Sequence, residues 1–303
     1  MSTLRLELPD SFDFSLSIER NVFGIGDLHV AQTDAGPVVY RAFWRSGQPI
    51  AVKVCADRDQ RLLRVETAED LSQQEGHDIE AQIRHWLDLD SDYARIQDYF
   101  GADPAMKSVI NALVGLHLQR DMHPFASLVR MMIGQQVNVA FATSLTNRLI
   151  DLAGRFVVWD GLKLPVFPTA AEVAAVSVDE LRRLQFSSRK AEYIVQLAQM
   201  VDDGAIDLSA DHLQAMDDDQ AVEYLCQIRG VGQWSAQCCL LFALGRPDVF
   251  PALDVGLLDA LARMYGVVRP SAKEAVQMVE KWSPYRSYAA HFLWCGRRML
   301  GKG

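Results

Sequence analysis

The sequence predicts an α+β protein, with a small mixed domain of strands and a helix over residues 1–115 and an all-α body over residues 116–303. Three observations predict it. The early chain carries runs of β-branched and aromatic residues with turn residues between them. From about Asp103 onward the apolar spacing becomes helical. Half of the 303 residues are hydrophobic and 23% are charged, which is enough to bury a core.

Taken in order, Thr3–Leu8 alternates apolar and polar positions, as a strand does. Pro37–Trp44 and Pro49–Ala56 read as strands joined by a turn at Ser46-Gly47, and Arg61–Thr67 as another. Glu75–Leu87 has helical spacing through Ile79, Ile83, Trp86 and Leu87. Phe125–Ile150 reads as one long amphipathic stretch with Gly134 near its middle. Helices follow over Val178–Leu184, Lys190–Val201, Asp219–Ile228, Gln233–Leu244, Val255–Tyr265, Ser271–Trp282 and Tyr288–Leu300, separated by Gly, Pro or Asp.

No apolar run reaches the roughly 18 residues of a membrane helix. The start MSTLRLELPD has no signal-peptide pattern, so a cytoplasmic protein is expected. Cys55, Cys226, Cys238, Cys239 and Cys295 are scattered and odd in number, which fits reduced thiols. No CxxC or HxxxH spacing occurs, so neither a zinc nor an iron–sulfur site is expected. The net charge of -9 at first argues against nucleic acid. However, residues 1–115 hold 19 acids and 11 bases, whereas the remainder holds 20 and 19. The body is close to neutral and has room for a local basic face.

The most informative segment is Leu225–Ala236, in which Arg229-Gly230-Val231-Gly232 lies between two helical patterns. The glycines permit a tight turn, and Val231 can pin it to the core. Amides that face outward at a helix N-terminus make a phosphate site that reads no sequence. An ordinary helix–turn–helix corner is the competing reading. Sixteen residues beyond Gly232, Asp248–Asp254 is an extended, Pro-containing run into a helix that starts after Asp254. Asp254 reads as an N-cap, and also as a carboxylate held at the mouth of a cleft beside the turn. The two roles are compatible, because a cap fixes the side chain's direction.

Turn and aspartate in this order resemble the helix-hairpin-helix–Gly/Pro/Asp superfamily of DNA base-excision glycosylases, most closely the 3-methyladenine DNA glycosylase II family. Phe125–Val137 is similar to that family's wedge segment, Phe186–Ile194 to its loop and helix ahead of the hairpin, and Lys281–Ala289 to its C-terminal segment. Together these cover roughly residues 120–300. The resemblance implies two helical lobes with a cleft between them. It makes Asp254 the catalytic aspartate and Gly230, Val231 and Gly232 the hairpin that grips DNA, often with a monovalent cation between its carbonyls and a phosphate. It places Gln136 where a side chain enters the duplex, and Trp234 and Trp294 at aromatic positions of the base pocket. A further pocket aromatic of the family falls on Cys238, and the N-terminal domain offers Phe12 or Phe14.

A base within a duplex must be flipped out to be cut, and Gln136 would fill the gap it leaves. The carboxylate of Asp254 would stabilise positive charge on the sugar and orient or deprotonate a water. Relatives with lyase activity carry lysine where this chain has Trp234, so no Schiff base is expected by that route. An alkylated, cationic base stacks on indole at roughly 0.5–2 kcal/mol. Arg189, Lys190, Arg229 and Arg286 are candidate phosphate contacts, with plain surface solvation as the competing reading for each. Trp86, Trp159, Cys238-Cys239 and His291 read as packing residues.

The resulting expectation is a monomeric, monofunctional glycosylase that needs no cofactor. It would release 3-methyladenine-type or 7-methylguanine-type bases from damaged double-stranded DNA, and would be nucleoid-associated if the protein is bacterial. Two alternatives stay open: a glycosylase of the same superfamily for deaminated or oxidised purines, and a non-catalytic protein that binds damaged DNA.

Overall fold

The computed structural model describes residues 1–19, 27–57 and 61–297. The elements are β1 (Thr3–Glu7), α1 (Phe14–Glu19), β2 (Leu28–Thr33), β3 (Gly36–Arg45), β4 (Gln48–Asp57), β5 (Leu62–Thr67), α2 (Gln73–Trp86), α3 (Tyr93–Gly101) and α4 (Pro104–Ala112). Then come α5 (Pro124–Gly134), α6 (Val139–Ala153), β6 (Arg155–Trp159), β7 (Leu162–Val166), α7 (Ala170–Ala174), α8 (Val178–Arg183) and α9 (Ser188–Asp202). The last are α10 (Ala210–Gln214), α11 (Asp218–Cys226), α12 (Gln233–Phe242), α13 (Val255–Tyr265), α14 (Ala272–Val279), a 3-10 turn (Glu280–Trp282) and α15 (Arg286–Gly296). The α+β class is as the sequence predicts. No helix among the described residues is long and apolar enough to cross a membrane.

The chain forms two compact units, neither continuous in sequence. The first gathers residues 1–10, 23–89 and 129–208. Its centre is an antiparallel sheet in the order β1-β5-β4-β3-β2. Strand residues alternate between faces, and β3 uses both. On one face Phe43 meets Trp86 of α2 edge-on at 5.9 Å. On the other, Tyr40 meets Trp159 at 6.2 Å, and Arg155 lies over Trp44. Trp86 is therefore core, as expected, whereas Trp159 stays partly exposed on the second face. Arg41 reaches the buried face because Asp27 meets its Nη2 at 2.9 Å, and Arg130 of α5 shares that carboxylate at 3.3 Å. Burial works to raise the Asp27 carboxyl, but the two arginines outweigh it and hold it below the ordinary range.

Two expectations for this unit need correction. Phe125–Ile150 is not one helix. The chain leaves α5 at Gly134, turns through Gln136 in the left-handed region (φ 58°), and restarts where the Asn138 side chain accepts from Phe141 N. The body is also not all helical, because β6 and β7 form a hairpin around Asp160-Gly161, both at positive φ. Aspartate followed by glycine between apolar runs is a strong hairpin signal that the helical surroundings obscured.

The second unit gathers residues 11–22, 90–128 and 209–303. Phe14, Tyr93, Phe100, Trp282 and Phe292 are buried in it. The Trp282 indole donates to Asp103, which Lys281 also meets, both at 2.8 Å. Phe14 is therefore committed to the core, while Phe12 packs edge-on against His117 at 4.7 Å.

Gly154 ends α6 at φ -78°, a conformation open to any residue, but a Cβ there would come within 2.6 Å of both Ile150 O and Val166 O. Gly154→Ala is expected to cost about 1–3 kcal/mol through overpacking. Urea unfolding measures it, and an unchanged midpoint would contradict this account of the α6–β7 junction.

Candidate active site

In the second unit the hairpin joins α11 to α12. Gly230 sits at φ 91°, a conformation only glycine adopts easily. The Val231 amide donates to Ile228 O at 3.0 Å, and the Val231 side chain is buried, so the turn is pinned as its sequence suggests. Gly232 is the N-cap of α12 at φ -108°, where no glycine is needed, and a Cβ there would point into open space. Nothing in the fold itself therefore calls for a glycine at 232. Arg229 is exposed at the rim. The segment Leu225–Trp234 contains no acid, so the oxygens this turn itself could offer the family's ion are neutral. Such a set suits a monovalent cation better than a divalent one.

The run from Asp248 to Asp254 is fastened from α15. Arg286 grips Asp248 with two parallel bonds, Nε to Oδ1 and Nη2 to Oδ2, both 2.8 Å, and Ser283 Oγ adds a third at 2.7 Å. Burial tends to raise the Asp248 carboxyl, but these donors outweigh it and hold it low. The Ser287 hydroxyl accepts from Val249 N at 2.9 Å, and the Ser287 amide donates to Pro247 O at 3.0 Å. Arg286, expected at a DNA phosphate, is instead committed to Asp248 as a brace for this run.

Asp254 caps α13, with Oδ1 accepting from Leu257 N at 2.9 Å. The same oxygen accepts from Trp294 Nε1 at 3.0 Å, and Oδ2 accepts from Trp234 Nε1 at 3.0 Å. Three N–H groups thus fix one carboxylate that remains partly exposed, between the exposed side chains of Leu253 and Val255. Trp234 lies two residues beyond Gly232, so its bond ties the carboxylate to the end of α12 that the hairpin opens. Beneath them the Cys238 thiol is buried, and burial together with the Asp254 charge pushes it far above its usual value. It is inert packing, as is Cys239. His291 is also buried, and desolvation pushes its imidazole down to about 4, which leaves it neutral at pH 7.

Sequence reasoning paired the two tryptophans as faces for a base and missed that both aim their N–H at Asp254. Phe242 already stacks on Trp294, with ring centroids 5.6 Å apart. Arg297 was also missed. Its Nη1 lies 3.3 Å from the point where a Gly256 Cβ would sit, and Asp254 Oδ1 lies 3.0 Å from that same point. No sequence spacing announces these contacts, since α12, α13 and α15 meet only in the fold.

In the first unit, Gln136 is exposed at the tip of the turn between α5 and α6. Arg189 is exposed in the first turn of α9. Its neighbour Lys190, expected at a phosphate, directs Nζ to Ile133 O at 2.5 Å and Gln135 O at 2.7 Å.

Residues 129–284 match the family described as HhH-GPD superfamily base excision DNA repair protein, and residues 29–123 match the AlkA N-terminal domain. A DNA-3-methyladenine glycosylase of Bacillus subtilis is 32% identical over 218 residues, which are 72% of this chain and 71% of that one. DNA-3-methyladenine glycosylase 2 of Escherichia coli is 29% identical over 59% of this chain and 60% of its own. A solved 3-methyladenine DNA-glycosylase from Archaeoglobus fulgidus superposes with a TM-score of 0.86 at 25% identity, covering 99% of this chain and 100% of that one. The chain belongs to the helix-hairpin-helix–Gly/Pro/Asp superfamily of base-excision DNA repair proteins, with the N-terminal domain of its 3-methyladenine DNA glycosylase II branch.

Proposed function

We propose that this protein is a monofunctional DNA glycosylase that flips alkylated bases of the 3-methyladenine and 7-methylguanine type out of duplex DNA and releases them, leaving an intact abasic site. The observation that carries this reading is the Asp254 carboxylate, held by the indole N–H groups of Trp234 and Trp294 and by Leu257 N. The relatives' names point to the same substrate class.

The Gly232 amide and the amides that open α12 take a backbone phosphate, and the bare Cα of Gly232 lets the strand approach closely. A monovalent cation held by the turn's carbonyls would add positive charge at that phosphate. Gln136 fills the gap left by the flipped base, and Arg189 and Arg229, both exposed, meet phosphates. Cleavage of the N-glycosidic bond moves the bonding electrons onto the base and leaves positive charge at C1′. Alkylation has already made the base cationic, so it departs neutral. Asp254 faces the developing charge, pre-aligned so that little reorganisation is needed as the bond breaks. It also accepts the proton of the water that attacks C1′. Among the described residues the donors that hold it are indole and amide N–H groups, which cannot form a Schiff base. Lys190, the nearest lysine in sequence to the hairpin motif, is engaged by two carbonyls.

Purified protein is expected to release 3-methyladenine or 7-methylguanine from methylated duplex DNA, and borohydride should trap no covalent adduct. A trapped adduct would refute the monofunctional reading. Asp254→Asn should slow release roughly a hundredfold or more while leaving DNA binding largely intact. Trp234→Phe keeps a ring but removes the donor to Oδ2. A hydrogen bond to a charged group is worth about 1.5–3 kcal/mol, so kcat should fall roughly tenfold or more with little change in KM. Gly232→Ala should melt like wild type yet bind duplex DNA several-fold more weakly. Unchanged affinity would show that the backbone at 232 does not approach a phosphate.

A further inference from the structure

A helix C-terminus leaves carbonyls without intrahelical partners. At the end of α5 two such carbonyls, Ile133 O and Gln135 O, converge on one ammonium, that of Lys190. In the turn itself Gln135 N reaches Met131 O at 3.1 Å and Val137 N reaches Gly134 O at 3.4 Å. Gln136 occupies the left-handed region at φ 58°, which costs a non-glycine residue roughly 1–2 kcal/mol. Something must hold that conformation. Lys190 is placed to do so, because its backbone is fixed by the Ser187 cap of α9 and its stem is partly buried. Its charge also sits at the negative end of the α5 dipole. Burial pulls its ammonium below the ordinary lysine value, so the charge is kept there at a desolvation cost that the carbonyls offset.

We propose that Lys190 is a positioning residue, whose ammonium clamps Ile133 O and Gln135 O and so presents Gln136 in a preset conformation for entry into the duplex. This rests on the reading of Gln136 as the gap-filling side chain. An ammonium has three donors, and two are spent on carbonyls, which leaves little for a phosphate. Arg189, exposed beside it, is the phosphate contact of this turn. Preset geometry shortens the search for the inserted state, so loss of the clamp slows flipping without removing a charge contact to DNA.

The test combines a double-mutant cycle with a salt titration. Lys190→Met and Gln136→Ala are each expected to slow single-turnover excision from methylated duplex about tenfold. The double variant should be no slower than either alone, since both remove one function. Lys190→Arg, which keeps two donors, should recover most of the rate. If Lys190→Met does not fold, Lys190→Gln, shorter and uncharged, takes its place in the cycle. Binding to a duplex with a tetrahydrofuran abasic analogue should keep its salt slope in Lys190→Met and lose about one unit of slope in Arg189→Ala. A slope reduced by about one in Lys190→Met, with excision at the wild-type rate, would make Lys190 a phosphate contact and overturn the proposal. Multiplying effects in the double variant would overturn it too. A fully active Gln136→Ala would instead sink the gap-filling reading, whereas a slow Gln136→Ala beside a fully active Lys190→Met would sink the clamp alone.

Discussion

One carboxylate with three N–H donors organises the second unit's functional side. Asp254 can hold its place only if α13 starts at Val255, α12 presents Trp234 two residues after the hairpin, and α15 presents Trp294. Each helix contributes one donor, so the arrangement closes only when all three are docked. The cost of fixing a partly exposed charge is offset by bonds of about 1.5–3 kcal/mol each, the usual worth of a hydrogen bond to an ion. That leaves the acid aligned but still reachable.

Two of the four basic residues that the sequence offers as phosphate contacts are engaged within their own units instead. Arg286 is spent on Asp248, and with Ser287 it fastens the extended run that delivers Asp254. Lys190 is spent on the end of α5. A basic residue near a nucleic-acid motif is easily assigned to a phosphate, yet a helix end or a nearby carboxylate competes for it. Arg189 and Arg229 are both exposed and are candidates for the electrostatic part of binding.

Much was legible in the sequence because some residues have few alternative uses. Gly230 marks a positive φ, Asp254 marks a cap, and Ser46-Gly47 marks a hairpin, and the structure has each. The α12 and α13 helices were readable from local spacing. What was not legible depends on distant segments meeting. The Trp234–Asp254–Trp294 constellation spans three helices, and the Asp248–Arg286 brace joins segments 38 residues apart. The break at Gln136 was hidden because apolar spacing resumes beyond it from Val139, although Gly134 and the Asn138 cap both mark it. The β6–β7 hairpin was a failure of weighting, since Asp160-Gly161 carried the signal.

On the proposed reading, Asp254 is aligned to stabilise positive charge at the anomeric carbon. Binding of duplexes carrying a cationic pyrrolidine abasic analogue or its neutral tetrahydrofuran counterpart tests it most directly, because only the former imitates the charge of the transition state. The account requires that wild-type protein prefer the cationic duplex by at least about tenfold, and that Asp254→Asn lose that preference while still binding the neutral one. Equal affinity of the wild-type protein for both duplexes, or a preference that survives the substitution, would contradict it.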